Sequence, residues 1–226
     1  MCRPYLLIPA LPDLPDTAWK QITLSRSEEG ALEPTFSEEV PLGLDIRWTT
    51  PAIEVLSLKR GASRGALVYE TEYEGKPAIA KIVPFAWQNY RLENESWAYS
   101  LIEGYYGDNS THDRFSPRVL GHLTEEGRAM GILLEKVEGR FAEPAHLEAC
   151  DGALRKLHKA VRLAHGDVNR RNFIIDDAIG KVTLIDFEHA IDLDLKPEVA
   201  AKELLSLLAE LSEETGRGGS GQIVTA

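Results

Sequence analysis

The stretch HGDVNRRNFIIDDAIGKVTLIDFEHA, residues 165–190, decides how the rest of the chain is read. It carries a carboxylate at Asp167, an amide at Asn172, and a second carboxylate at Asp186 that closes the apolar run Val182-Thr183-Leu184-Ile185. The amide oxygen and the second acid are hard donors of the kind magnesium takes, which leaves the first acid to meet a hydroxyl. Together they make a layout suited to phosphoryl transfer.

At this spacing His165-Gly166-Asp167 and Asp186-Phe187-Glu188 resemble the catalytic-loop and metal-strand triplets of protein-kinase-like enzymes, where protein kinases carry H-R-D and D-F-G. The variant triplets are similar to those of the aminoglycoside phosphotransferase and choline kinase branch, to RIO-type and other minimal atypical kinases, and to small fungal kinase-like proteins of unassigned substrate. The resemblance implies a bilobal protein-kinase-like α+β fold, with a five-stranded antiparallel N-lobe sheet plus one helix and a reduced, mostly helical C-lobe. It also implies ATP and Mg2+ as cofactors, Asp167 as the catalytic carboxylate that accepts or orients a hydroxyl proton, and Asn172 and Asp186 as metal ligands.

Upstream, short β-rich runs at 53–59, 66–73 and 77–83 predict three strands, the last two joined by a turn at Glu74-Gly75-Lys76. Runs at 118–123 and 129–134 bring the expected sheet to five. Between the first two strands lies RGASRG, residues 60–65, similar to a worn kinase glycine-rich loop. Gly61 and Gly65 would let backbone N–H groups approach phosphates, although the full G-x-G-x-x-G is missing. Lys81, in the strand sequence AIAKI, matches the lysine that meets the α- and β-phosphates. An ammonium among apolar neighbours needs an acid. The helix predicted over 89–102 supplies one: Glu95 shares a face with Tyr99 and Ile102, and Glu93 is the alternative. Residues 134–139, LEKVEG, resemble the hinge, where backbone groups of Glu135 and Val137 would bond an adenine edge.

A helix over 144–160 places Leu147, Cys150, Leu154, Leu157 and Val161 on one stripe, and another over 197–211 turns Leu204, Leu207, Leu208 and Leu211 to the core. His158 and His165 read as architectural, because histidines at such loops fix backbone shape. His112, His122, His146 and His189 show no ligand spacing. The expected organisation is an extended, proline-rich arm over 1–52, an N-lobe with hinge over 53–138, a C-lobe over 139–212 and a flexible glycine-rich tail over 213–226.

The net charge of −11 argues against nucleic acid as a partner, since phosphate backbones need clustered Lys and Arg. Two cysteines, Cys2 and Cys150, support neither a disulfide framework nor a zinc site. The run Tyr5-Leu6-Leu7-Ile8 is too short for a signal-peptide core and no stretch reaches the length of a membrane span, so a cytoplasmic, intracellular protein with no membrane partner is expected. The leading expectation is an ATP- and Mg-dependent phosphotransferase acting on a hydroxyl of a small-molecule acceptor. One alternative is a minimal atypical protein kinase or ATPase with a protein substrate, and another is a non-catalytic pseudokinase scaffold. The residue pattern leaves oligomeric state undefined.

Overall fold

Residues 21–37 form a hairpin where an extended arm was expected. In this computed structural model, which describes residues 11–214 except 47, 49, 66, 84 and 108–113, β1 (Gln21–Arg26) pairs antiparallel with β2 (Leu32–Ser37). The intervening turn is closed by Ser27 N–H donating to Ala31 O at 3.0 Å and Gly30 N–H donating to Ser27 O at 2.9 Å. Pro34, opposite Leu24, hid the second strand from a sequence reading. A two-stranded ribbon consists only of edges, where a residue without an N–H is tolerated. The chain divides into two compact units, Met1–Leu42 and Gly43–Ala226, so the division falls earlier than the arm boundary expected at 52. Within the second unit Leu44 is buried and its N–H donates to Ala129 O at 2.8 Å. Of the tail expected over 213–226, residues from 215 onward lie outside the described residues, as do residues 108–113.

Among the described residues the second unit is α+β, with mixed sheets and three helices. Its largest sheet comprises β3 (Ala52–Glu54), β4 (Val68–Tyr73), β5 (Lys76–Ile82), β6 (Val119–Glu125) and β7 (Arg128–Glu135), in the order β3-β6-β7-β5-β4. The β4–β5 turn is Glu74-Gly75, at φ 50° and 75°. Two successive left-handed residues twist as the flanking strands do, and glycine at the second makes the geometry inexpensive. Glu126-Gly127 closes β6 onto β7 in the same way.

The sheet has five strands but, against expectation, is not wholly antiparallel: β3 runs parallel to β6, with Ile53 opposite Leu123. The run 53–59 is no single strand either. It breaks into a 3-10 turn at Val55–Ser57, pinned by Ser57 Oγ donating to Glu54 O at 2.6 Å. The segment that does lie antiparallel to β4 is 61–64, where Gly61 N–H donates to Glu70 O (2.7 Å) and Arg64 N–H donates to Val68 O (2.8 Å). The turn lets the chain leave one edge of the sheet and arrive at the other.

Helix α1 (Asn89–Tyr106) buries a stripe of Leu92, Glu95, Ser96, Tyr99 and Ile102, three or four residues apart. Short strand β8 (Arg140–Phe141) precedes α2 (Leu147–Lys156), which continues as a π turn over Leu157–Val161; a single helix over 144–160 was expected. β9 (Leu163–Ala164) then leads into the 165–172 loop, and the hairpin β10 (Phe173–Asp176) and β11 (Lys181–Leu184) follows. β12 (Ile191–Asp192) pairs with β9, and α3 (Glu198–Leu211) packs against α2. One hydrophobic cluster joins these parts: Tyr99 and Ile102 of α1, Ile132 and Leu134 of β7, Leu154 of α2, Phe173, Leu184, Phe187 and Leu207. The far face of the sheet carries its own cluster, including Tyr69, Ala78, Ala80 and Leu133. Because side chains alternate along β5, Ala78 and Ala80 take the far face and Ile79 packs on the side of α1. Lys81 therefore points the same way as Ile79, towards the helix. Among the described residues no helix is long and apolar enough to cross a membrane.

Candidate functional site

Lys81 finds two acids on that side. Its Nζ lies 2.8 Å from each carboxylate oxygen of Glu95 and 2.7 Å from Asp186 Oδ1. Glu95 is 1% exposed, so its charge has no solvent to turn to and depends on the ammonium. Burial disfavours the charged lysine, but the two carboxylates outweigh it and hold the Lys81 pKa above its ordinary value. Burial likewise pushes the Glu95 carboxyl up against the pull of Lys81, whereas Asp186, though partly buried, is held below the usual carboxylate range by Lys81. Of the two candidate partners it is thus Glu95 that meets the lysine; Glu93 Oε1 instead accepts the Asp45 N–H at 2.9 Å.

Asp186 reaches Lys81 by an unusual backbone turn. It sits at φ 68°, in the left-handed region that costs a non-glycine residue about 1 kcal/mol or more. The turn sends its carboxylate to the lysine and the next residue, Phe187, into the core. There Phe187 is fully buried, edge-on to Tyr99 at 5.2 Å and beside His165 at 5.1 Å. Full burial of such an aromatic contributes about 1.5–3 kcal/mol, enough to hold the strained residue before it.

The loop on the other side of the site is built around Asp167. Its Oδ2 accepts from Asn169 Nδ2 at 3.1 Å and from Asn172 Nδ2 at 3.2 Å, and its backbone oxygen accepts from Asn172 Nδ2 at 2.9 Å. Asn169 Oδ1 accepts the Arg171 N–H at 2.9 Å and so caps the 3-10 turn Arg170–Asn172. Both asparagines are buried, which fixes the carboxylate's direction. Asn172 O also accepts the Ile185 N–H at 3.0 Å, and this places the Asn172 backbone beside the residue before Asp186. With its Nδ2 committed to Asp167, Asn172 retains Oδ1 as an oxygen donor. Among the described residues no group of three or more His, Cys, Asp or Glu gathers as a metal site, so an ion here would draw on Asn172, Asp186 and oxygens from outside the protein. That donor set, two hard oxygens and open positions, fits magnesium bound with a phosphate.

The loop's entry is held from below by Glu203 of α3, a residue the sequence reading passed over. Its two oxygens accept the His165 N–H (3.2 Å), the Gly166 N–H (2.6 Å) and a contact from His158 Nε2 (2.7 Å). A signal was present: Glu203 stands four residues before Leu207, on the apolar stripe of its helix, where an acid must have a buried partner. His165 and His158 are both buried and hydrogen-bonded, with His165 Nε2 bonded to Ile185 O at 2.9 Å. At Gly166, φ is 80° and an added Cβ would lie 1.8 Å from His189 O.

A cleft of about 450 Å³ opens beside Lys81, Glu95 and Asp186 and is bounded by Leu67, Val68, Trp87 and Arg91 among others. The remaining expected residues stand away from it. Gly61 is packed in the 61–64 pairing, where an added Cβ would meet Glu70 O at 2.8 Å, and Gly65 lies in the following bend. Glu135 ends β7 with its N–H donating to Arg118 O at 2.9 Å, and Val137 lies just beyond. No protein-family model matches the chain, and no curated protein matches it.

Proposed function

We propose that the chain is an ATP- and magnesium-dependent phosphotransferase of protein-kinase-like, bilobal design, acting on a hydroxyl of a small-molecule acceptor in the cytoplasm. The observation that carries this reading is the meeting of Lys81 with both Glu95 and Asp186, the latter 105 residues away, together with the backbone bond that ties Asn172 to Ile185, the residue before Asp186. In this reading Lys81 binds phosphate oxygens, and the five-stranded sheet with α1 forms the nucleotide-holding lobe. Magnesium, held by Asn172 and Asp186, would neutralise charge on the phosphates. Asp167, aimed by Asn169 and Asn172, takes the proton of the attacking hydroxyl. Most of the rate gain then comes from alignment and charge stabilisation, as is general for phosphoryl transfer.

The reading is tested by melting the full chain with and without MgATP. A ligand at about 100 times its Kd adds about 2.7 kcal/mol, which for a chain of this size raises Tm by roughly 5–10 °C. Asp186→Ala should abolish that rise, and no rise in the wild type at millimolar MgATP removes the nucleotide reading. Incubation with labelled ATP then separates small-molecule acceptors from a minimal atypical protein kinase by whether metabolites or proteins gain label. A pseudokinase scaffold is favoured by one observation, the Gly61 N–H already spent on Glu70 O, and it predicts nucleotide binding without label transfer.

A further inference from the structure

The cleft beside Lys81 is lined by two cations, Lys81 and Arg91, and three carboxylates, Glu95, Asp186 and Glu188. Lys81 already faces two of those acids at 2.7–2.8 Å, so much of its charge is spent before any polyanion arrives. Arg91, in the first turn of α1, is differently placed. Its side chain is 51% exposed and is positioned from one side by Tyr90: Nε donates to Tyr90 Oη at 2.9 Å and Cζ lies 5.7 Å from the ring centroid. Its contact with Glu188 is loose, with Nη1 to Oε1 at 3.4 Å against about 2.7–2.9 Å for a tight charge-assisted pair. Glu188 has a second neighbour, His189 Nε2 at 3.2 Å, and Arg91 Nη2 meets no acceptor among the described residues. A pre-aimed guanidinium whose carboxylate partner is held only loosely is suited to exchange that partner for a phosphate.

We propose that Arg91 recognises the terminal phosphate of a nucleoside triphosphate, giving up its loose pair with Glu188 for a two-pronged contact with phosphate oxygens. The proposal rests on the nucleotide reading above. A planar guanidinium matches two phosphate oxygens at once, which an ammonium cannot do, and a diphosphate, lacking the terminal group, would forgo that contact.

Calorimetric titration of the full chain with MgATP and with MgADP tests it. The wild type should bind ATP more tightly than ADP. Arg91→Gln should weaken ATP by about tenfold, the loss of one charged hydrogen-bonding contact, while ADP stays within about twofold. Arg91→Lys should fall between the two, and its far-UV spectrum checks that the fold is kept. Glu188→Gln should tighten ATP in the wild-type background and tighten it less when combined with Arg91→Gln. Equal losses for ATP and ADP, or no loss for either, would overturn the assignment of Arg91 while leaving the nucleotide reading intact. A wild type that binds neither nucleotide overturns both.

Discussion

Gly166 shows how one residue type can be dictated by a neighbour far along the chain. With φ at 80° and the His189 carbonyl where a Cβ would sit, Gly166→Ala should cost at least about 3 kcal/mol, measured by urea unfolding. Lys81 makes a prediction with a pH signature. Lys81→Met leaves Glu95 buried without its cation and removes what was holding the raised carboxyl pKa in check. An acid whose folded pKa is raised loses stability as pH rises, because the unfolded chain ionises first. The deficit of Lys81→Met against wild type should therefore be small near pH 4.5 and grow to about 3 kcal/mol by pH 8. His122 acts in the opposite sense. Its ring is buried between Thr50 and Ser96, and burial lowers its pKa to about 4. A depressed histidine contributes stability that is complete above about pH 6.5 and is lost as pH falls towards 4. Wild-type unfolding across that window should show the loss, and His122→Asn should flatten it.

At the scale of elements, α3 matters for what it holds as well as for what it buries. Leu207 and Leu211 fill the core, but Glu203 is the acceptor for two backbone N–H groups at the mouth of the Asp167 loop. Glu203→Ala would leave those donors and His158 unsatisfied in a dry site, at about 2–4 kcal/mol. Hydrogen exchange should show new opening at His165 and Gly166, and an unchanged exchange rate there would contradict this account. The strands were less legible than the helices. β5 and β7 were visible because alternation and turn residues are local properties, whereas β3 and the 61–64 segment were read as one strand and its loop. Three residues of β3 carry too short a pattern to declare which neighbour they join, and parallel pairing with β6 is a long-range event. The β1–β2 hairpin was missed for a related reason, since prolines that exclude a central strand are admissible in a ribbon of two edges.

For the whole molecule, the cluster running from α1 and β7 through α2 to Phe187 and Leu207 is continuous, so residues from 43 onward should unfold in one cooperative transition. Two separated calorimetric peaks from a chain beginning at residue 43 would sink that view. What the sequence determined by itself was local chemistry: an inward strand lysine, an acid on the helix face that follows, and a loop offering Asp167 and Asn172 ahead of a hairpin whose second strand leads into Asp186. Periodicity and spacing carry such features because they need only neighbouring residues. Only the tertiary structure decided that Lys81 faces Asp186 as well as Glu95, that Glu203 anchors the loop, and that Arg91 shares the cleft. Those are contacts between residues tens of positions apart, and they exist because buried charges and unpaired N–H groups must find partners wherever the packed chain brings them.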